Sequence, residues 1–223
     1  MPDFRKNQAL YDYLSGYLTE HRKEGILSVL SERTRYLTVI LDNIFQSQNA
    51  SAVMRSCECL GVQDLYVIEE STRYKVNKNV VMGASKWVDL HRFSTTKEAL
   101  SAVKKKGYKI AATSPGQSSI SLHDLPLDHK IALVFGNELN GISQEVFDEV
   151  DYTVTIPMCG FTESFNISVS AGISLYYLMN KLKDSEVDWK LTEEEILDLK
   201  VRWARTSIKK IDIIEKEFNK KFS

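Results

Sequence analysis

The sequence predicts an α/β fold: a mostly parallel sheet with helices on both faces, extended by helical segments at each end. Three observations lead there. Short β-rich apolar runs alternate with amphipathic stretches through the middle of the chain. Strands alternating with helices favour a parallel sheet covered on both sides. Before residue 37 and after Asp188 the texture changes to helical patterning alone.

The elements follow in order. Residues 3–30 read as helical, with Leu10, Tyr13, Leu14, Tyr17 and Leu18 at helical spacing and a second short helix over 23–31. Residues 37–44 (LTVILDNI) form the first apolar strand. A helix over 49–60 places Val53, Cys57 and Leu60 on one face, and Gly61 stops it. Strands follow at 64–69 and 87–93. An amphipathic helix over 95–106 ends at Gly107. Three more strands read at 108–113, 130–135 and 152–156.

A helix over 165–182 is rich in small residues in its first half, namely Ser168, Ser170, Ala171, Gly172 and Ser174. Tight core packing and a subunit interface account for that content equally well. Thr192 followed by Glu193, Glu194 and Glu195 resembles a capping box. The helix it opens carries Ile196, Leu199 and Trp203. A last helical stretch holds Ile208, Ile211, Ile214, Phe218 and Phe222 among lysines. The division is then 1–36, 37–184 and 185–223.

Composition narrows the function classes. The chain has 223 residues, enough for one sizeable domain with extensions. Its start has neither the apolar core of a secretory signal nor a membrane span. Cys57, Cys59 and Cys159 are odd in number and lack C-x-x-C spacing, and the four histidines are scattered. No metal site is expected, and reduced thiols in the cytoplasm fit. A net charge of −1 neither signals nor excludes nucleic acid, because a basic face can sit within a neutral total.

Three blocks carry candidate chemistry. Asn49-Ala50-Ser51-Ala52-Val53-Met54-Arg55 lies at a strand-to-helix turn, where ligands of open α/β sheets bind. Val134-Phe135-Gly136-Asn137-Glu138-Leu139-Asn140-Gly141 ends a buried-type strand, and its glycines permit close backbone approach. Residues 156–170 (IPMCGFTESFNISVS) form a long polar loop entering a helix, with Ser164 and Asn166 where caps are expected. There is no G-x-G-x-x-G and no P-loop, so dinucleotide and ATP-driven chemistry lose their main support.

Together, in this order, the blocks resemble the three motifs of the SpoU/TrmH branch of the SPOUT RNA methyltransferases. The likeness runs from about residue 37 to 182. The stretch Gly83-Ala84-Ser85-Lys86-Trp87-Val88 is similar to the G-x-x-K-W-V of the tRNA-acting members. The resemblance implies a SPOUT fold with a deep C-terminal trefoil knot, a feature nearly absent elsewhere and unreadable from periodicity.

It also implies S-adenosyl-L-methionine (SAM) as methyl donor, a ribose 2′-hydroxyl of tRNA as acceptor (the D-loop guanosine at position 18), and a homodimer through the knot region. The alternatives are an rRNA 2′-O-methyltransferase on the same scaffold and a non-catalytic RNA-binding module.

Carried over residue by residue, Arg55 matches the catalytic arginine. Asn49, Glu138, Ser164 and Asn166 match its polar partners. Thr113, Ser114, Gly136, Ile156 and Phe165 match the cofactor pocket, with Phe165 replacing a more usual leucine. Arginine has a pKa above about 12, so the preferred role for Arg55 is holding phosphate and stabilising developing alkoxide charge. Arg5, Lys6, Arg22, Lys23, Arg202, Arg205, Lys209 and Lys210 are candidate phosphate contacts in the terminal segments.

Overall fold

The computed structural model of the chain describes residues 4–70, 73–116 and 119–222. The expected start at Asp3 and the Phe222 side chain lie outside the described parts. In chain order the elements are α1 (Phe4–Ser15), α2 (Glu20–Leu30), β1 (Leu37–Asp42), α3 (Ser47–Cys59), β2 (Asp64–Ile68), α4 (Lys78–Val81), a 3-10 turn (Ala84–Lys86), β3 (Asp89–Phe93), α5 (Thr96–Lys105) and β4 (Tyr108–Thr113). Then come β5 (Ile120–Ser121), a second 3-10 turn (Leu122–Asp124), β6 (Lys130–Phe135), α6 (Gln144–Phe147), β7 (Tyr152–Thr155), α7 (Ile167–Lys183), α8 (Glu193–Ser207) and α9 (Ile211–Phe222).

Two compact units form: Thr34–Trp189, and Met1–Arg33 together with Lys190–Ser223. The terminal segments, distant in sequence, share one helical unit.

In the larger unit the strand order is β3-β2-β1-β6-β4-β7-β5, and the strand pairings among the described residues are all parallel. Alternate residues face opposite sides, as the period of a strand requires. Leu37, Val39, Leu41, Leu65, Ile131 and Leu133 pack with Val53, Met54 and Cys57 of α3 and Leu175 and Leu178 of α7. Ile40, Tyr66, Ile110, Ala132 and Val134 pack on the other face with Ala99, Leu100 and Val103 of α5 and Val146 of α6. Gly61 and Gly107 follow α3 and α5 in the left-handed conformation, at φ 83° and 84°, which ends both helices.

The topology positions the site. From β1 the chain steps outward to β2 and β3, then crosses to β4, and β6 returns between β1 and β4. Leu41 pairs with Phe135, Ala112 with Val134 and Thr113 with Val154. The carboxyl ends of β1, β6, β4 and β7 therefore lie side by side at a topological switch, where α/β sheets bind ligands.

The helical unit has its own core of Leu10, Leu14, Val201, Ala204 and Phe218. Thr192 and Glu195 make the reciprocal bonds of a capping box at the start of α8: Thr192 N–H donates to Glu195 Oε2 at 2.9 Å and Glu195 N–H to Thr192 Oγ1 at 3.3 Å. Arg33, fully buried, lays its guanidinium over the Trp203 ring at 5.3 Å.

Candidate active site

A cleft of about 560 Å³ opens at that carboxyl edge. Its walls are the loops after β4 (Thr113, Ser114, Pro115), β6 (Gly136, Asn137, Glu138) and β7 (Ile156, Met158 and 163–167). Gln46 and Asn49 at the start of α3 complete them.

The β6 loop is a tight hairpin. Asn137 and Gly141 exchange backbone hydrogen bonds at 2.8 Å each way. This folds Gly141 onto Gly136: a Cβ at Gly136 would lie 2.2 Å from the Gly141 carbonyl carbon. Only glycine fits at 136, and the close approach is to the chain's own backbone. Asn137 braces the turn, donating from Nδ2 to the Asn43 carbonyl at 2.6 Å and accepting from Leu139 N–H at 2.8 Å. Asp42, at the end of β1, accepts from Ser143 N–H at 2.8 Å.

The hairpin aims Glu138 at the start of α3. Its carboxylate accepts from Phe45 N–H at 2.9 Å, Gln46 N–H at 3.2 Å and Asn49 Nδ2 at 2.9 Å. Gln46, the N-cap of α3, makes no side-chain cap of its own, so Glu138 supplies the negative charge there from another loop. Partial burial works against its ionisation. The Asn49 side chain and the backbone N–H groups outweigh that and hold its pKa below the ordinary glutamate value.

Asn49 extends the chain of bonds to the third block. Asn166 Nδ2 donates to Asn49 Oδ1 at 3.2 Å, while Asn166 Oδ1 caps α7 by accepting from Ser168 N–H at 2.9 Å. Glu138, Asn49 and Asn166 thus form one polar path joining all three blocks. Thr113 Oγ1 donates to the Val134 carbonyl at 2.9 Å, tying two of the strand ends together.

The structure gathers Asn49, Thr113, Ser114, Gly136, Glu138, Ile156, Ser164, Phe165 and Asn166 around the cleft. Arg55 is not part of its lining. It sits exposed on α3 with no ion pair or side-chain hydrogen bond among the described residues. All eight basic residues expected to contact phosphate fall in the helical unit. There Lys23 pairs with Glu20, Arg202 with Asp198 and Arg205 with Glu215. Asn137, Met158 and Glu163 also line the cleft, each lying within one of the three sequence blocks but carrying no distinct signal there. Gln46 carried no sequence signal, because its position depends on a loop reached from another strand.

The walls mix apolar surface from Phe135, Val154, Ile156, Met158, Phe165 and Ile167 with polar groups from Thr113, Ser114, Glu163 and Ser164. That combination, at a volume typical of small-molecule clefts, suits a ligand with a flat apolar-faced ring and polar ends. Among the described residues no helix is long and apolar enough to cross a membrane.

A model of the SpoU rRNA methylase family matches residues 36–176. A curated relative from Borreliella burgdorferi, named tRNA (guanosine(18)-2′-O)-methyltransferase, is 42% identical over 92% of this chain and 94% of its own. One of the same name from Aquifex aeolicus is 32% identical over 83% and 89%. The crystal structure of the A. aeolicus TrmH/SpoU tRNA modifying enzyme is similar, with 33% identity and a TM-score of 0.75 over 85% of this chain and 98% of that one. The AdoMet complex of the SpoU methyltransferase AviRb from Streptomyces viridochromogenes shares the fold, at 24% identity over 72% of this chain and 63% of that one, with a TM-score of 0.60.

Proposed function

This chain belongs to the SpoU rRNA methylase family, and on that premise we propose that it transfers a methyl group from SAM to the ribose 2′-hydroxyl of guanosine 18 in tRNA. The observation that carries the reading is the polar path Glu138–Asn49–Asn166. It draws the three blocks around one cleft at the sheet's switch point.

SAM, when bound, supplies the activated methyl group. The lining fits it: the wall at Gly136 is bare backbone, and the loops after β4 and β7 offer backbone groups beside the apolar surface of Ile156 and Phe165. Thr113, Ser114, Gly136, Ile156 and Phe165 hold the group, largely through backbone contacts. Glu138, Asn49 and Asn166 set the position of α3 against that wall, and Ser164 faces the cleft beside them.

Arg55 holds the target phosphate and stabilises charge building on the 2′-oxygen. Its exposure, with no ion pair or side-chain hydrogen bond among the described residues, leaves the guanidinium available for that contact. Within one chain Arg55 stands off the cleft lining, which favours a site completed by a second copy. The surface for that copy is on α7. Ala171, Ser174, Leu175 and Leu178 face the core, while Val169, Ile173 and Tyr176 form an exposed apolar stripe. Their spacing of four and three residues keeps them on one helix face. The homodimer, the threaded C-terminal knot and a cytoplasmic location belong to the same reading. So does RNA contact through the basic residues of the helical unit.

Calorimetric titration with SAM, followed by transfer of labelled methyl to a tRNA transcript and to rRNA fragments, tests it. SAM binding and transfer to tRNA are expected. Absence of SAM binding would leave an RNA-binding module. Transfer to rRNA fragments alone would move the substrate.

A further inference from the structure

The β2–β3 connection carries an unassigned concentration of positive charge. Residues 71–88 hold Arg73, Lys75, Lys78 and Lys86 and no Asp or Glu, in a chain whose net charge is −1. All four side chains are exposed. None makes an ion pair or a side-chain hydrogen bond among the described residues. Several cations elsewhere on this unit are matched, Arg35 to Asp64 and Asp89, Arg92 to Glu69, Lys104 to Glu149 and Lys109 to Asp151, whereas Arg55, Lys97 and Lys105 have no ion pair among the described residues.

The segment is fastened in place. Lys75 N–H donates to Ser47 Oγ at 3.3 Å and Asn77 N–H to Ser51 Oγ at 2.9 Å. Tyr74 Oη meets Ser51 Oγ at 3.0 Å, and Arg92 donates to the Tyr74 carbonyl at 2.9 Å. Between Lys78 and Lys86 the chain turns through two successive left-handed residues, Met82 at φ 48° and Gly83 at φ 87°. That conformation is uncommon for methionine and persists where the surroundings specify it. Both α4 and the 3-10 turn bearing Lys86 pack against α3.

Ser47 and Ser51 are four residues apart on α3, and Arg55 is four further on. Those spacings keep the three on neighbouring rows of one helix side. The anchored segment therefore runs along the side of α3 that continues to Arg55, and both present unmatched cations. We infer that the β2–β3 connection is a phosphate-binding track. It takes the sugar–phosphate backbone of the substrate RNA flanking the nucleotide that Arg55 holds. The inference rests on the RNA 2′-O-methyltransferase reading and adds the subsite that grips the acceptor strand.

The test is the full chain carrying Arg73→Gln, Lys75→Gln, Lys78→Gln and Lys86→Gln, compared with wild type for tRNA binding across a salt series. Each lost phosphate contact lowers the slope of log K against log salt by about 0.7–0.9, so four reduce it by about 3. The Kd for tRNA should weaken at least about tenfold near 0.1 M salt, and KM for tRNA should rise. SAM affinity by calorimetry should stay unchanged. Arg73→Lys with Lys75→Arg, Lys78→Arg and Lys86→Arg should restore the slope.

An unchanged slope in the neutralised variant, with wild type methylating tRNA, overturns the track alone. Wild type that methylates no RNA overturns the underlying reading instead. If the quadruple variant loses its fold, Lys78→Gln and Lys86→Gln singly decide the matter by whether each lowers the slope.

Discussion

Asn49 and Glu138 meet through a 2.9 Å hydrogen bond across 89 residues of sequence. That bond fastens the start of α3 to the β6 hairpin and gives the cleft one of its corners. Glu138→Gln replaces a charged acceptor by a neutral amide facing the same donors. It should cost about 1 kcal/mol of stability in urea unfolding. It should also weaken SAM binding in calorimetry, because the corner loosens.

The same carboxylate predicts a pH dependence. Its pKa is held below the usual 4.5. A depressed carboxylate contributes stability that is fully present above its unfolded pKa and is lost as pH falls through the folded one. Wild type should therefore exceed Glu138→Gln in stability by a constant margin from pH 7 down to about pH 5. The margin should shrink below 4.5 and vanish once pH passes the lowered folded value. Paired urea titrations along the pH series measure this.

Gly136→Ala places a methyl 2.2 Å from the Gly141 carbonyl carbon, where backbone leaves no room. The hairpin must open. Overpacking of this kind costs about 1–3 kcal/mol or more. Thermal denaturation should show the loss, and SAM titration should show a weakened or absent site.

Arg55 behaves in the opposite way. Because it is exposed and has no partner among the described residues, Arg55→Ala should leave stability within about 0.5 kcal/mol. As an electrostatic anchor it should cost about 10²–10³ in turnover, with Arg55→Lys recovering part. Near-normal turnover in the alanine variant removes Arg55 from the chemistry. A pH–rate profile at saturating SAM separates a proton acceptor from a phosphate anchor.

The α7 stripe predicts an assembly effect. Ile173→Asp with Tyr176→Asp puts charge on the exposed apolar face and leaves the buried residues of α7 untouched. Sedimentation should show wild type as a dimer and the variant as a monomer with little activity. An active monomer would separate the site from a second copy.

The central strands were legible because they are largely buried on both faces: the runs at Tyr108–Thr113 and Lys130–Phe135 have the observed bounds. β5, only two residues long, and α4 and α6, four each, are too short to show a period. The helix expected from Phe165 starts at Ile167, since Asn166 is its cap. The small residues of α7 divide between roles that composition could not separate. Ala171 and Ser174 face the core, and a Cβ added at Gly172 would meet nothing nearer than Ser56 Oγ at 3.9 Å. In the site, motif spacing named the residues but not their contacts. Gly136 accommodates Gly141, Glu138 braces α3, and Arg55 stands apart from the cleft in a single chain. Those relations arise where loops from non-adjacent strands converge, which no local pattern encodes.

The central claim is ribose 2′-O transfer at one guanosine. Its most direct measurement uses two tRNAs, one unmodified and one carrying 2′-deoxyguanosine at position 18, each incubated with the chain and labelled SAM and mapped by mass spectrometry. The account predicts a single 2′-O-methylguanosine at position 18 of the first and no methyl transfer to the second. Methyl on a base, or equal labelling of the deoxy substrate, would contradict it.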